Sequence, residues 1–262
     1  MEPNSGSWTS YSRYVALGDS QTEGIGDPDG MGGHRGWADR FAELLDAAYP
    51  GLHYANLAVR GRRAGQIRDE QLESAVALDP DLVTVMAGMN DLIRPRFDRK
   101  SLLTDLDIVF GTLIDTGATV VTFTYPDIGG VAPLVRPLSP RIYALNDDLR
   151  MLAEEHGVVL IDVEPVEATA HPLVWADDRL HLNPLGHDLV ARAVADALAL
   201  PGSGDTWRDP LPRTPSTYWH TLAAESVWAT RYLLPWVGRR LRGHSAGTGL
   251  YPKRPDLLPV LL

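Results

Sequence analysis

Short apolar runs rich in β-branched residues alternate with longer stretches of helical periodicity through residues 1–200. Tyr14–Leu17, Leu52–Leu57, Leu82–Ala87, Thr119–Tyr125 and Val158–Ile161 read as strands. The third is apolar almost throughout, the signature of a parallel strand covered on both faces. Trp37–Ala48 places Trp37, Phe41, Leu44, Leu45 and Ala48 on one helical stripe. Leu102–Ile114 and Ile142–Glu155 repeat that pattern, the latter stopped by Gly157. A further helix is predicted from Pro184 to about Leu198, with Asn183 as its N-cap. This alternation implies right-handed βαβ units and an α/β fold with a doubly wound, parallel, five-stranded sheet. Ligands of such sheets sit beyond the carboxyl ends of the strands.

The pattern changes after residue 200. Residues 201–216 are rich in Pro, Gly and Ser and read as a linker between a main domain at 1–200 and an extension at 217–262. In the extension, Tyr218–Leu241 reads as a Trp-rich helix that Pro235 should kink or break. A basic run, Arg239-Arg-Leu-Arg-Gly, suits its C-terminus. The extension is thus expected to be helical.

Composition narrows the classes. The chain has 262 residues, 44% hydrophobic and 22% charged, an ordinary composition for a globular protein with a substantial core. A net charge of −10 argues against generic nucleic-acid binding. Without cysteine there is no disulfide, thiolate metal site or cysteine nucleophile. The start lacks a basic segment followed by an apolar one, and the chain reads as cytoplasmic, although a mature form shorn of its signal would read alike. Residues 201–262 carry a net +4 against −14 for the rest, so the tail either lies on the acidic body or faces an anionic partner.

Four segments carry candidate chemistry: Gly18-Asp19-Ser20, Gly61 after Asn56-Leu-Ala-Val-Arg, Gly88-Met-Asn90-Asp91, and Asp178-Arg-Leu-His181. The first three follow predicted strands one, two and three, hence share one sheet edge. Each has a plainer account. Ser20 could cap a helix, Gly61 could be a turn glycine, Asn90 a turn asparagine, and Asp178 a solvated acid with Asp177 beside it. Together they supply a hydroxyl nucleophile, oxyanion donors, and an imidazole near a carboxylate that can fix its tautomer. Asp91 reads as structural. Gly24-Ile-Gly26 and Gly30-Met-Gly-Gly33 lack dinucleotide-binding spacing and read as a flexible loop beside Ser20. The loop Pro126–Arg136 is expected to line the substrate site.

These segments, over residues 13–199, resemble the SGNH hydrolases, also called the GDSL family. The resemblance implies a flavodoxin-like sheet and a cofactor-free serine esterase. Ser20 would be the nucleophile, His181 the base, Asp178 its orienting acid, and Ser20 N–H, Gly61 N–H and the Asn90 amide the oxyanion hole. Where the family often has leucine after the serine, this chain has Gln21, read as a variation that leaves the chemistry alone. The expected substrate is a small ester, short acyl or acetyl. A lipid-directed lipase or thioesterase docked on a membrane by its C-terminal helix, and a non-catalytic binding protein, are the alternatives. Packing of that helix on the body or on a second copy of the chain, as a homo-oligomer, is favoured over membrane contact.

Overall fold

The computed structural model describes residues 10–212, 218–235 and 247–260. In chain order the elements begin with β1 (Arg13–Gly18), α1 (Ser20–Glu23), α2 (Gly36–Ala48) and β2 (His53–Asn56). A helical segment follows: α3 (Ala64–Ile67), a π-helical turn at Arg68–Leu72, and α4 (Glu73–Ala77). Then come β3 (Leu82–Met86), α5 (Met89–Leu92), α6 (Arg99–Asp115), β4 (Thr119–Phe123), α7 (Ser139–His156), β5 (Val159–Ile161) and α8 (Pro184–Ala197). The extension contributes α9 (Tyr218–Trp228) and β6 (Arg254–Pro259).

The sheet order is β5-β4-β3-β1-β2-β6. β1 to β5 are mutually parallel and β6 is antiparallel to β2. The expected sheet of five strands therefore has six, and the extension is not helical throughout. β6 includes Pro255 and Pro259, both tolerated because the strand lies on the sheet edge. Chain order reverses between β1 and β3, which makes their carboxyl ends the crevice of the fold.

The apolar stripes behave as their spacing demands. α2 turns Trp37, Phe41 and Leu45 into the core and packs on α8, while α6 packs on α3 and α7. Every residue of β3 is buried, as expected for a strand with helices on both faces. Asn183 caps α8 by accepting from Gly186 N–H at 3.1 Å. The Pro/Gly-rich stretch hides an anchor: Trp207 is buried and donates Nε1–H to Asp196 at 2.9 Å, holding residues 205–208 against α8. Of the basic tail, Lys253 lies on the acidic body, 2.8 Å from Asp39. The expected break at Pro235 falls at the limit of the described residues, and the basic run 239–243 lies outside them. Among the described residues no helix is long and apolar enough to cross a membrane.

Candidate active site

β1 ends at Gly18, whose φ is 155°, and a side chain there would meet the Met86 carbonyl oxygen of neighbouring β3 at 2.8 Å. Only glycine lets the two strand ends close up at this point. The chain then turns sharply into α1. Asp19, not Ser20, is the N-cap, accepting from Gln21 N–H at 3.2 Å, so Ser20 is the first helical residue and its hydroxyl is not used as a cap.

His181 arrives from the far end of the domain. Its Nε2 lies 3.0 Å from Ser20 Oγ and its Nδ1 2.7 Å from Asp178 Oδ2. The other Asp178 oxygen accepts from the N–H groups of Leu180 and His181, both at 3.0 Å. Burial pushes the Asp178 carboxyl up, but the hydrogen bond and charge of His181 and those two N–H groups bring it below the usual carboxylate range. An ionised carboxylate can only accept, so Nδ1 carries the imidazole proton and Nε2 is left to accept from the Ser20 hydroxyl. The tight turn forces Arg179 to φ 54°, a left-handed conformation that side chains resist and that concentrates at functional sites.

Gln21 has partners that the sequence did not announce. Its side-chain amide donates to Leu180 carbonyl at 2.9 Å and accepts from Leu182 N–H at 3.2 Å, bracketing His181 on both sides. The residue where the family motif varies therefore ties the helix of Ser20 to the segment of His181. The glycine loop presses on the same segment, since a side chain at Gly26 would fall 1.9 Å from the Leu182 carbonyl oxygen.

Asn90 lies in α5, just beyond β3, and donates its side-chain N–H to Asp19 at 2.7 Å, which holds the amide next to the Ser20 turn. Asp19 is buried above a small apolar cavity of about 80 Å³ lined by Met86, Met89, Phe123 and Leu182. Loss of water there pushes its carboxyl up to about 6, against the hydrogen bonds from Gln21 and Asn90. Asp91 accepts from Ala64 N–H at 3.0 Å, so it ties the Asn90 turn to the start of α3. Gly61, with φ 77°, sits in the turn after β2. Next to it, Arg60 is ion-paired with Glu23 of α1, which draws this turn toward the helix of Ser20.

A cleft of about 530 Å³ opens at His181. One wall is the loop after β4, through Ile128, Ala132, Leu134 and Val135. The opposite wall is α9 and the residues just after it, Trp228 and Arg231 to Leu233. Trp228 Nε1–H donates to the Asp178 carbonyl oxygen at 2.7 Å. Arg179 lies over the Trp228 ring at 5.2 Å and pairs with Glu225. None of these α9 contacts was legible from the sequence, because each spans about 50 positions.

The fold is a doubly wound α/β sheet, and a serine, a histidine and an aspartate are hydrogen-bonded in series at its crevice. The chain belongs to the GDSL-like lipase/acylhydrolase family, whose model matches residues 16–189, and it is a carboxylic ester hydrolase. It is 25% identical to an acetylxylan esterase of Geobacillus stearothermophilus, over 69% of this chain and 91% of that one. A solved α/β hydrolase from the metagenome of Lake Arreo is 25% identical, with a TM-score of 0.61, over 72% of this chain and 95% of that one. A solved GDSL-like lipase of Parabacteroides merdae shares the fold at 17% identity, with a TM-score of 0.60 over the same shares of the two chains. Solved structures of the Geobacillus enzyme include catalytic mutants in which a serine, an aspartate or a histidine is replaced by alanine.

Proposed function

We propose that the chain is a serine esterase that cleaves carboxylic esters through an acyl-enzyme on Ser20. The observation that carries this reading is the unbroken series Ser20 Oγ, His181 Nε2, His181 Nδ1, Asp178 Oδ2, with both links at hydrogen-bond length. His181 takes the hydroxyl proton as Ser20 Oγ attacks the ester carbonyl, and Asp178 stabilises the imidazolium so formed. Negative charge develops on the carbonyl oxygen, and the Ser20 N–H, the Gly61 N–H and the Asn90 amide are the donors that receive it. Collapse of this intermediate expels the alcohol, which takes the proton from His181. Water then attacks the acyl-enzyme with His181 again as base, releasing the acid and restoring Ser20. The three residue types replaced in the catalytic mutants of the Geobacillus esterase support the same assignment here.

Ser20→Ala tests this. Turnover of p-nitrophenyl acetate or butyrate is expected to fall by roughly 10³-fold or more. A fluorophosphonate should add its mass to the wild type and not to the variant. The thermal midpoint should scarcely move, because Ser20 Oγ does not cap its helix. Undiminished turnover in Ser20→Ala would remove the assignment.

A further inference from the structure

The family match ends at residue 189, yet one wall of the cleft beside His181 is built by residues 228–233. This wall has three properties. The cleft it closes is mostly apolar: Ile93, Ile128, Leu134, Leu138, Leu180 and Leu233 line it, and its polar side chains are Asp178, Arg179, His181, Arg231 and Tyr232. It is fixed to the acid-base loop, through Trp228 to the Asp178 carbonyl and through Glu225 to Arg179. And the helix widens to π-helical geometry at Ala229–Leu233, the stretch that faces the cleft, a distortion that recurs at functional sites.

We propose that this cleft, completed by α9 and the residues that follow it, binds an apolar chain of the ester, so that the enzyme acts on esters with an extended hydrocarbon group rather than on acetylated sugars. The proposal rests on the serine-esterase reading and narrows its substrate. A sugar placed here would leave most of its hydroxyls without partners after giving up water, which is costly. A hydrocarbon chain gains for the same reason, by roughly fourfold in binding per buried methylene. Ile93 follows the Asn90 turn and Leu180 precedes His181, so the cleft reaches the reacting groups from two sides. The chain it holds belongs either to the acyl group or to the alcohol.

Two substrate series decide the matter. One holds the alcohol constant, p-nitrophenyl acetate, butyrate, hexanoate and octanoate. The other holds the acyl group constant, ethyl, butyl and octyl acetate. All are measured below their aggregation limits, beside acetylated xylose. kcat/KM is expected to rise at least tenfold along one series, which identifies the side of the ester the cleft takes, and acetylated xylose should fall below the best of them. Leu134→Asp and Leu233→Asp put a charge on partly exposed wall positions and should cut the long-to-short ratio about tenfold. A ratio that stays flat or falls in both series, or acetylated xylose as the best substrate, overturns the proposal. Ser20-dependent turnover of acetates without chain preference defeats the cleft alone. Absence of any Ser20-dependent turnover defeats the esterase reading with it.

Discussion

Gln21 shows at the residue scale what local sequence can and cannot carry. Asp178 and His181 were legible because their partnership is encoded three positions apart, within one turn. The grip of Gln21 on Leu180 and Leu182 spans 159 and 161 positions, and no periodicity announces it. A glutamine there looked like a neutral replacement for leucine, whereas its amide satisfies a carbonyl and an N–H on either side of His181. Gln21→Leu restores the residue common in the family and orphans both backbone groups. It should cost about 1–2 kcal/mol of stability, read from urea unfolding. Because the lost bonds hold the segment of His181 rather than the substrate, kcat should fall with KM nearly constant. A stability loss with an unchanged kcat would make Gln21 a structural brace only. Asp19 is a second case: its place in the motif was plain, but that burial raises its carboxyl to about 6 depends on the cavity beneath it.

Elements of strong periodicity were read with nearly correct bounds, including the Asn183 cap and α8, because apolar stripes and caps are local facts. The elements that failed to register were α1 and α5, each of four residues, the helical run of α3, the π-helical turn and α4 between β2 and β3, and β6, which gains its hydrogen bonds from β2 rather than from its own composition. α9 was legible as a helix, but not as a brace for the Asp178 turn. Trp228→Phe isolates that brace. It keeps an aromatic wall and removes the Nε1 donor to the Asp178 carbonyl. A drop in kcat of several-fold is expected, with the chain-length preference kept, and a loss of about 1 kcal/mol in stability by thermal or urea unfolding. An unchanged kcat would show that the turn holds itself.

Across the whole molecule, ionisation and packing are coupled through His187. This fully buried imidazole accepts from Trp37 N–H at 3.0 Å and faces the Ile25 carbonyl at 3.1 Å, joining α8, α2 and the glycine loop. It must be neutral to accept, and burial, opposed by the Ile25 carbonyl and Asp27 and assisted by Arg40 and Lys253, lowers its pKa to about 4. The folded value lies below the unfolded one, so its contribution is complete above about pH 6.5 and is withdrawn as pH falls toward 4, by about 3 kcal/mol. Asp19 runs the other way, its raised value favouring the fold as pH falls through 6. His187→Gln should therefore be less stable than wild type near pH 7.5, with the gap narrowing by about 3 kcal/mol as pH approaches 4. Urea midpoints across that range give the answer, and a constant gap would show that His187 does not titrate with folding.

The seam between β2 and β6 has a consequence for biosynthesis. The two strands meet where Arg254 Nε–H reaches the Tyr54 carbonyl, 200 positions along the chain. A ribosome releases β2 about 200 residues before its edge partner, so over that stretch of translation the growing sheet has an open flank. The residues of the 228–233 wall are also made after both Ser20 and His181. A nascent chain halted before them would hold the proposed catalytic groups without the surface proposed to select their substrate.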